Sequence, residues 1–203
     1  MRSARVAHAR PDGAVTRWAL AAALACAVAG AHAACTEEAR GAVPNAAELH
    51  EAEVLYLPTP HHVVEAMLEL ARVAPGDVVY DLGSGDGRIP IAAARRHGAR
   101  AVGIELDARL VERARCNARA AGVAHLVEFR QQDLFGADLR EATVVTLFLF
   151  PAINERLRPK LAAELAPGAR VVSHRFGLGS WPPDRATEAG GHPLLLWTMP
   201  RPR

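Results

Sequence analysis

Val78-Val79-Tyr80-Asp81-Leu82-Gly83-Ser84-Gly85-Asp86-Gly87-Arg88 is the stretch that decides how this chain folds. It begins as a short apolar strand, places an acid at the strand end, and then sets glycine at every second position from 83 to 87. The apolar segment Ile89 to Ala94 follows at once and can start a helix. A strand, a glycine turn and a helix N-terminus together form a cradle for a nucleotide-like ligand, because first-turn amides lack backbone partners and glycine lets a ligand reach the main chain. The spacing narrows the choice. A dinucleotide fingerprint G-x-G-x-x-G would need its third glycine at position 88, which is Arg88. That sets a nicotinamide-dependent oxidoreductase well behind other readings. A lone glycine turn would be an ordinary strand-to-helix connection, so the weight lies in what surrounds it.

Arg100 to Ile104 reads as a second strand and ends in Glu105, about 20 residues past the loop, where an acid can accept hydrogen bonds from both ribose hydroxyls. Leu126 to Arg130 reads as a third strand and leads to Gln131-Gln132-Asp133. Taken singly, Glu105 and Asp133 would be helix N-caps or solvated loop charges. In this order behind the glycine loop, they favour a ligand site. Asp107 to Ala121 reads as a helix. Thr59 and Pro60 suit the N-cap and first turn of another, with an apolar stripe at Val63, Val64, Met67, Leu68 and Ala71. The run Glu141 to Phe150 is nearly continuous apolar residues, as in a buried parallel strand, and Pro151 ends it. Ile153 to Leu165 reads as a helix that Pro159 kinks or breaks. Arg170 to Ser173 gives a fifth strand and Leu194 to Met199 an edge strand. Strands alternating with helices predict an α/β, doubly wound, mostly parallel sheet with helices on both faces. Its ligand belongs at the carboxyl ends of the strands, near the switch point.

Half of the 203 residues are hydrophobic and 5% are aromatic, which suits one globular domain with a real core. The net charge of +2 comes from the N-terminus. Residues 1–33 hold Arg2, Arg5, Arg10 and Arg17 against Asp12 alone, and without them the charge falls to −1. A body so close to neutral gives no electrostatic argument for nucleic acid. Four arginines, an apolar stretch from Trp18 to Gly30 and Ala31-His32-Ala33 read as a signal peptide or N-terminal membrane anchor over residues 1–33. Residues 34–53 read as a linker and 54–203 as the domain. Cys26, Cys35 and Cys116 imply no disulfide framework, and the nine histidines show no zinc-like spacing, so no metal is expected.

The G-x-G-x-G loop preceded by Asp81 resembles motif I of class I S-adenosylmethionine-dependent methyltransferases. A closer likeness lies in five segments that occur in order: Tyr56-Leu57-Pro58-Thr59-Pro60, the loop Asp81 to Arg88, Thr146 to Pro151, Leu157-Arg158-Pro159-Lys160-Leu161, and Arg170-Val171-Val172-Ser173-His174. From about Tyr56 to Trp181 the chain resembles the small protein-lysine methyltransferases of mitochondria and bacteria that modify the ATP synthase c subunit and the adenine nucleotide translocase. It departs at Arg175, where the family more often carries an acid.

The resemblance implies a Rossmann-like class I fold and S-adenosyl-L-methionine as methyl donor. The candidate donor-binding residues are Thr59, Asp81, Gly83, Gly85, Gly87, Glu105 and Asp133, the last against the adenine amino group. His174 is the catalytic candidate, for substrate positioning or proton removal, and a hydrogen-bonded loop histidine is the alternative. Direct in-line transfer needs no nucleophilic Cys or Ser. The implied partner is a protein with a target lysine, a membrane protein among the choices, with membrane association through the N-terminus. A small-molecule methyltransferase and a non-catalytic donor-binding module remain open. An N-terminal signal predicts export or tethering to the membrane, at odds with a donor made in the cytoplasm. A cytoplasmic location is expected instead if the segment is not used or the start is misassigned.

Overall fold

The computed structural model describes residues 57–200. The expectations for residues 1–33 and 34–53 lie outside the described residues. Within them the order is α1 (His61–Leu70), β1 (Val78–Leu82), α2 (Arg88–His97), β2 (Arg100–Glu105), α3 (Ala108–Ala120), β3 (Val127–Gln131), a 3-10 turn (Leu134–Gly136), β4 (Val144–Leu147), α4 (Pro151–Glu164), β5 (Arg170–His174), β6 (Arg185–Ala189) and β7 (His192–Thr198). The seven strands form one sheet in the order β3-β2-β1-β4-β5-β7-β6. Strands β1 to β5 run parallel, and β7 runs antiparallel to both β5 and β6. The chain winds outward from β1 through β2 to β3, then returns to the other side of β1 with β4. The switch point therefore lies between the carboxyl ends of β1 and β4, where open α/β sheets bind ligands.

Register sets which side chains meet there. Val79 pairs with Val144 and Asp81 with Thr146. Alternation puts these residues on the face covered by α1 and α2, with Ala101, Val172 and Leu194 in the same core. Tyr80, Leu82, Val145 and Leu147 point the other way, onto Leu157 and Leu161 of α4. Helices thus cover both faces, as the alternating pattern predicts. Among the described residues no helix is long and apolar enough to cross a membrane.

The amino ends of the strands are tied by Asp77. Its carboxylate accepts hydrogen bonds from Ala74 N at 2.8 Å, from Thr143 Oγ1 at 2.7 Å and from the Arg170 guanidinium. Burial pulls this carboxyl upward, but the bonds from Thr143, Ala74 and Arg170 win and hold it below the usual carboxylate value.

Three expectations are corrected. Pro60, not Thr59, occupies the N-cap of α1, and no side chain caps that helix. The Thr59 hydroxyl is instead turned inward toward β5. Of the two outcomes expected at Pro159, the break does not occur, and the residue lies inside α4. The strand expected at the sheet edge is interior: β7 runs between β5 and β6, and Trp197 and Leu194 on it are fully buried. The edge is β6, whose sequence Arg-Ala-Thr-Glu-Ala carries no apolar face.

Gly87 sits at the N-cap of α2 with φ of 80°. A Cβ there would lie 2.5 Å from Phe129 Cζ and 2.9 Å from Ala114 Cβ. Its smallness lets α2 and α3 close on β3. Gly87→Ala is expected to cost about 2 kcal/mol through left-handed strain and overpacking, read as a lower midpoint in urea.

Candidate active site

Asp81 is the acid at the switch point of the sheet. It is buried at the carboxyl end of β1, and Thr146 of β4 donates Oγ1–H to its Oδ1 at 2.7 Å. Burial pushes its carboxyl up to about 7, with the negative fields of Glu105 and Asp86 adding to the rise against the Thr146 hydrogen bond. A carboxylate so placed has a strong preference for a cation beside it.

The glycine loop rises over this acid. Gly83, Gly85 and Gly87 all take positive φ, of 80°, 54° and 80°. Gly83 N and Ser84 N donate to Ile104 O at 2.9 and 3.0 Å, which pins the loop to β2. Glu105, at the end of β2, receives Gly85 N on Oε2 at 2.9 Å and the amides of Leu106 and Asp107 on Oε1 at 2.8 and 3.0 Å. Beside it Leu106 is 70% exposed, an apolar side chain standing free at the strand end. Asp133 is exposed at the end of β3. It caps the 3-10 turn, accepting Phe135 N at 2.9 Å. It is carried next to β2, where Gln132 N donates to Glu105 O at 2.9 Å.

On the other side of the loop, Arg88 forks onto Asp86 at 2.9 and 2.7 Å and donates to Thr59 O at 2.7 Å. This one guanidinium joins the Pro-Thr-Pro segment to the glycine loop. Asn117 of α3 donates to Asp86 O at 2.9 Å and braces it from behind. Thr59 is buried, with Oγ1 3.4 Å from His174 Nδ1. His174, at the end of β5, is 1% exposed, and its ring lies 4.0 Å from that of Phe148. Its Nε2 is 2.9 Å from His192 Nδ1. Burial, then the fields of His192 and Arg175, press the His174 pKa down to about 4, so the ring is neutral at neutral pH.

Next to these groups opens an apolar slot of about 110 Å³ lined by Leu57, Phe148, Leu149, Phe150, Ile153, Arg175 and Phe176. Leu149 reaches the loop: a Cβ on Gly83 would lie 2.9 Å from its Cδ2. Arg175 has φ of 69°, a strained value for a residue with a side chain. The turn that holds it is fixed by Asn154, whose Nδ2 donates to Phe176 O at 3.2 Å, and by Ser173 Oγ, which donates to the same oxygen at 2.6 Å.

The structure therefore brings Asp81, Gly83, Gly85 and Glu105 together around the loop, and joins Thr59 to His174. Asp133 stands further along the strand ends. Sequence reading missed Thr146, Arg88, Leu106, Asn154 and His192. Thr146 alone left a signal, as a hydroxyl inside an apolar run that has to find a partner when buried.

Residues 81–185, just over half of the chain, match the model of the ANTKMT methyltransferase domain. The chain belongs to this methyltransferase family. A protein-lysine N-methyltransferase from Saccharolobus islandicus is 47% identical to this family member over 131 residues, covering 64% of this chain and 81% of the relative. The adenine nucleotide translocase lysine N-methyltransferase of Mus musculus is 44% identical over 131 residues, 64% of this chain, and this chain spans 57% of that enzyme's length. A solved structure of an RNA methyltransferase from Salinibacter ruber, in complex with S-adenosyl-L-homocysteine, has 60% identity and a TM-score of 0.71. It covers 72% of this chain and 96% of its own. The protein is an S-adenosylmethionine-dependent methyltransferase with the Rossmann-like class I fold. The site suits that donor. It offers a buried acid for a cationic sulfonium compound, an acid at the neighbouring strand end held by three amides, and an exposed apolar residue beside it.

Glu105→Ala is expected to weaken binding of S-adenosylhomocysteine by about 1–3 kcal/mol in calorimetry, the cost of leaving a hydrogen-bonded ligand group unpaired. An unchanged affinity removes Glu105 from the ribose role.

Proposed function

We propose that this enzyme methylates the side-chain amine of lysine in a protein acceptor. The observation that carries this reading is the apolar slot between Phe148, Phe150 and Phe176, reaching the glycine loop through Leu149. An unbranched aliphatic stem fits such walls, and the names of the relatives point the same way. The apolar N-terminal run from Trp18 to Gly30 supports an acceptor at a membrane.

S-adenosylmethionine, when bound, supplies an electrophilic methyl group on a sulfonium that leaves as a neutral thioether. Asp81, the loop at Gly83 and Gly85, Glu105, Asp133 and Thr59 are assigned to holding it, and Gly87 to letting the loop meet α2. The phenylalanines exclude water and align the amine. An ammonium cannot attack, and desolvation by these walls favours its neutral form. No covalent enzyme intermediate is required.

One observation favours a second acceptor, RNA: the Salinibacter ruber relative carries that name. Purified enzyme with methyl-labelled donor and a lysate decides between them. Label that protease releases as methyl-lysine is the expected result. Label released by ribonuclease supports RNA, and label in extractable metabolites a small-molecule acceptor.

A further inference from the structure

We propose that Thr59, His174 and His192 form the route by which the proton lost by the acceptor amine leaves the site. The proposal rests on the lysine reading, since only an amine that arrives as ammonium needs such a route.

The geometry is that of a wire. Thr59 Oγ1 stands 3.4 Å from His174 Nδ1, and His174 Nε2 stands 2.9 Å from His192 Nδ1. Catalytic contacts of this kind are commonly long before substrate binds. His174 pairs across the antiparallel ladder with Leu194, which makes His192, two residues back, its diagonal neighbour on the same face. The inner end abuts the acceptor slot: Phe148 of the slot packs on the His174 ring, and Leu57, Arg175 and Phe176 flank Thr59 and His174 in sequence. The outer end is half-buried at His192, whose ring is 5.8 Å from that of the exposed His62 on α1. The wire thus runs from behind Phe148, a wall of the slot, to the half-buried His192.

Neutral imidazoles can carry a proton along this path without storing charge. The 2.9 Å contact requires that one of the two nitrogens bears the hydrogen. Starting with hydrogen on Nε2 of both rings, the ammonium gives a proton to Thr59 Oγ while the Thr59 hydroxyl proton passes to His174 Nδ1. The His174 Nε2 proton passes to His192 Nδ1, and the His192 Nε2 proton goes to water. One N–H bond of the amine is broken, one proton reaches solvent, and both rings end neutral in the opposite tautomer.

The charged and titratable groups around the wire suit this. Arg175 follows His174 in the turn just past β5, Arg88 of α2 holds the Thr59 carbonyl, and the His62 ring of α1 lies edge-on to His192. On the β6–β7 hairpin, Glu188 is engaged by Gly191 N at 3.2 Å. The cations discourage a charge resting on His174, which favours passage over storage.

The test is the pH profile of lysine methylation by wild type and by His192→Ala and His192→Gln, with S-adenosylhomocysteine affinity as a check on folding. His192→Ala is expected to lose about 10-fold in kcat near neutral pH with donor affinity unchanged, below the 10²–10⁴ typical of removing a direct base. It should regain activity above pH 9 and with added imidazole, which fits the space left at a half-exposed position. His192→Gln, whose amide hydrogen-bonds but does not pass a proton on and whose side chain fills the space imidazole would need, should lose as much near neutral pH and not be rescued by imidazole. A profile for His192→Ala that superimposes on wild type overturns the proposal. So does an equal loss at every pH with no imidazole rescue, which would mark a purely structural histidine. Wild-type enzyme that labels RNA or metabolites and no lysine brings down the lysine reading itself, and the proton route with it.

Discussion

Gly85→Leu is expected to abolish donor binding in a protein that still folds. Gly85 holds φ of 54° and gives its N–H to Glu105 Oε2 at 2.9 Å. A leucine there pays left-handed strain of about 1–2 kcal/mol and puts an isobutyl group on the loop that faces the strand ends. Relief of the strain moves the Gly85 amide away from Glu105, so the loop and the carboxylate lose their alignment together. Calorimetry with S-adenosylhomocysteine should lose at least 1000-fold in affinity, about 4 kcal/mol, with only a modest drop in the thermal midpoint. Retained affinity would move the donor off this loop. The contrast is with Gly87, whose space is already filled by Phe129 and Ala114 and whose replacement acts on stability first.

The difference between those two glycines could not be read from spacing. In the sequence they are equivalent members of one alternation. The approach of Phe129, 42 positions further on and carried there by β3, and of Ala114 on α3 separates them. The same boundary divides the rest of the fold. β1, β2 and β4 were legible because most of their residues are buried and apolar, as at Val144 to Leu147, whereas β3, Val-Glu-Phe-Arg-Gln with only Phe129 buried, was legible from its place in the alternation of strands and helices. β6 was not, because Arg185 to Glu188 are exposed; it is a strand because β7 offers it an open row of backbone groups. Asp81, Glu105 and Asp133 were legible as acids at strand ends. Their environments were not: Asp81 is buried against Thr146, Glu105 is fastened by three amides, and Asp133 is an exposed cap. His174 could be singled out beside Ser173, but its partner His192 depends on the antiparallel register of β5 with β7, which no local pattern encodes. Thr59 shows the local rule losing to a tertiary one. It has the identity and position of an N-cap, yet its hydroxyl turns to His174 and Pro60 takes the cap.

Asp81→Asn should stabilise the free enzyme while weakening its grip on the donor. The native carboxyl titrates near 7 and the unfolded one near 3.8, because burial, and then Glu105 and Asp86, disfavour the charge. The folded state therefore binds the proton more tightly. The stability this lends is fully present below pH 3.8 and is lost as pH rises through 7. The whole loss is about 4 kcal/mol at 1.36 kcal/mol per unit. Asparagine is neutral at every pH and can still accept from Thr146, so its advantage should be largest near pH 8 and shrink steadily on acidification, in urea melts of the free protein. Donor binding should run the other way. A sulfonium and an ammonium near Asp81 favour its ionised form, so wild-type affinity for S-adenosylmethionine should fall as pH drops below 7, with a proton released on binding. That release appears as a binding enthalpy that depends on the ionisation heat of the buffer. In Asp81→Asn the affinity should be at least 10-fold weaker at pH 8, flat with pH, and free of buffer dependence. A variant that binds the donor as tightly as wild type would show that the Asp81 charge plays no part in holding the cation.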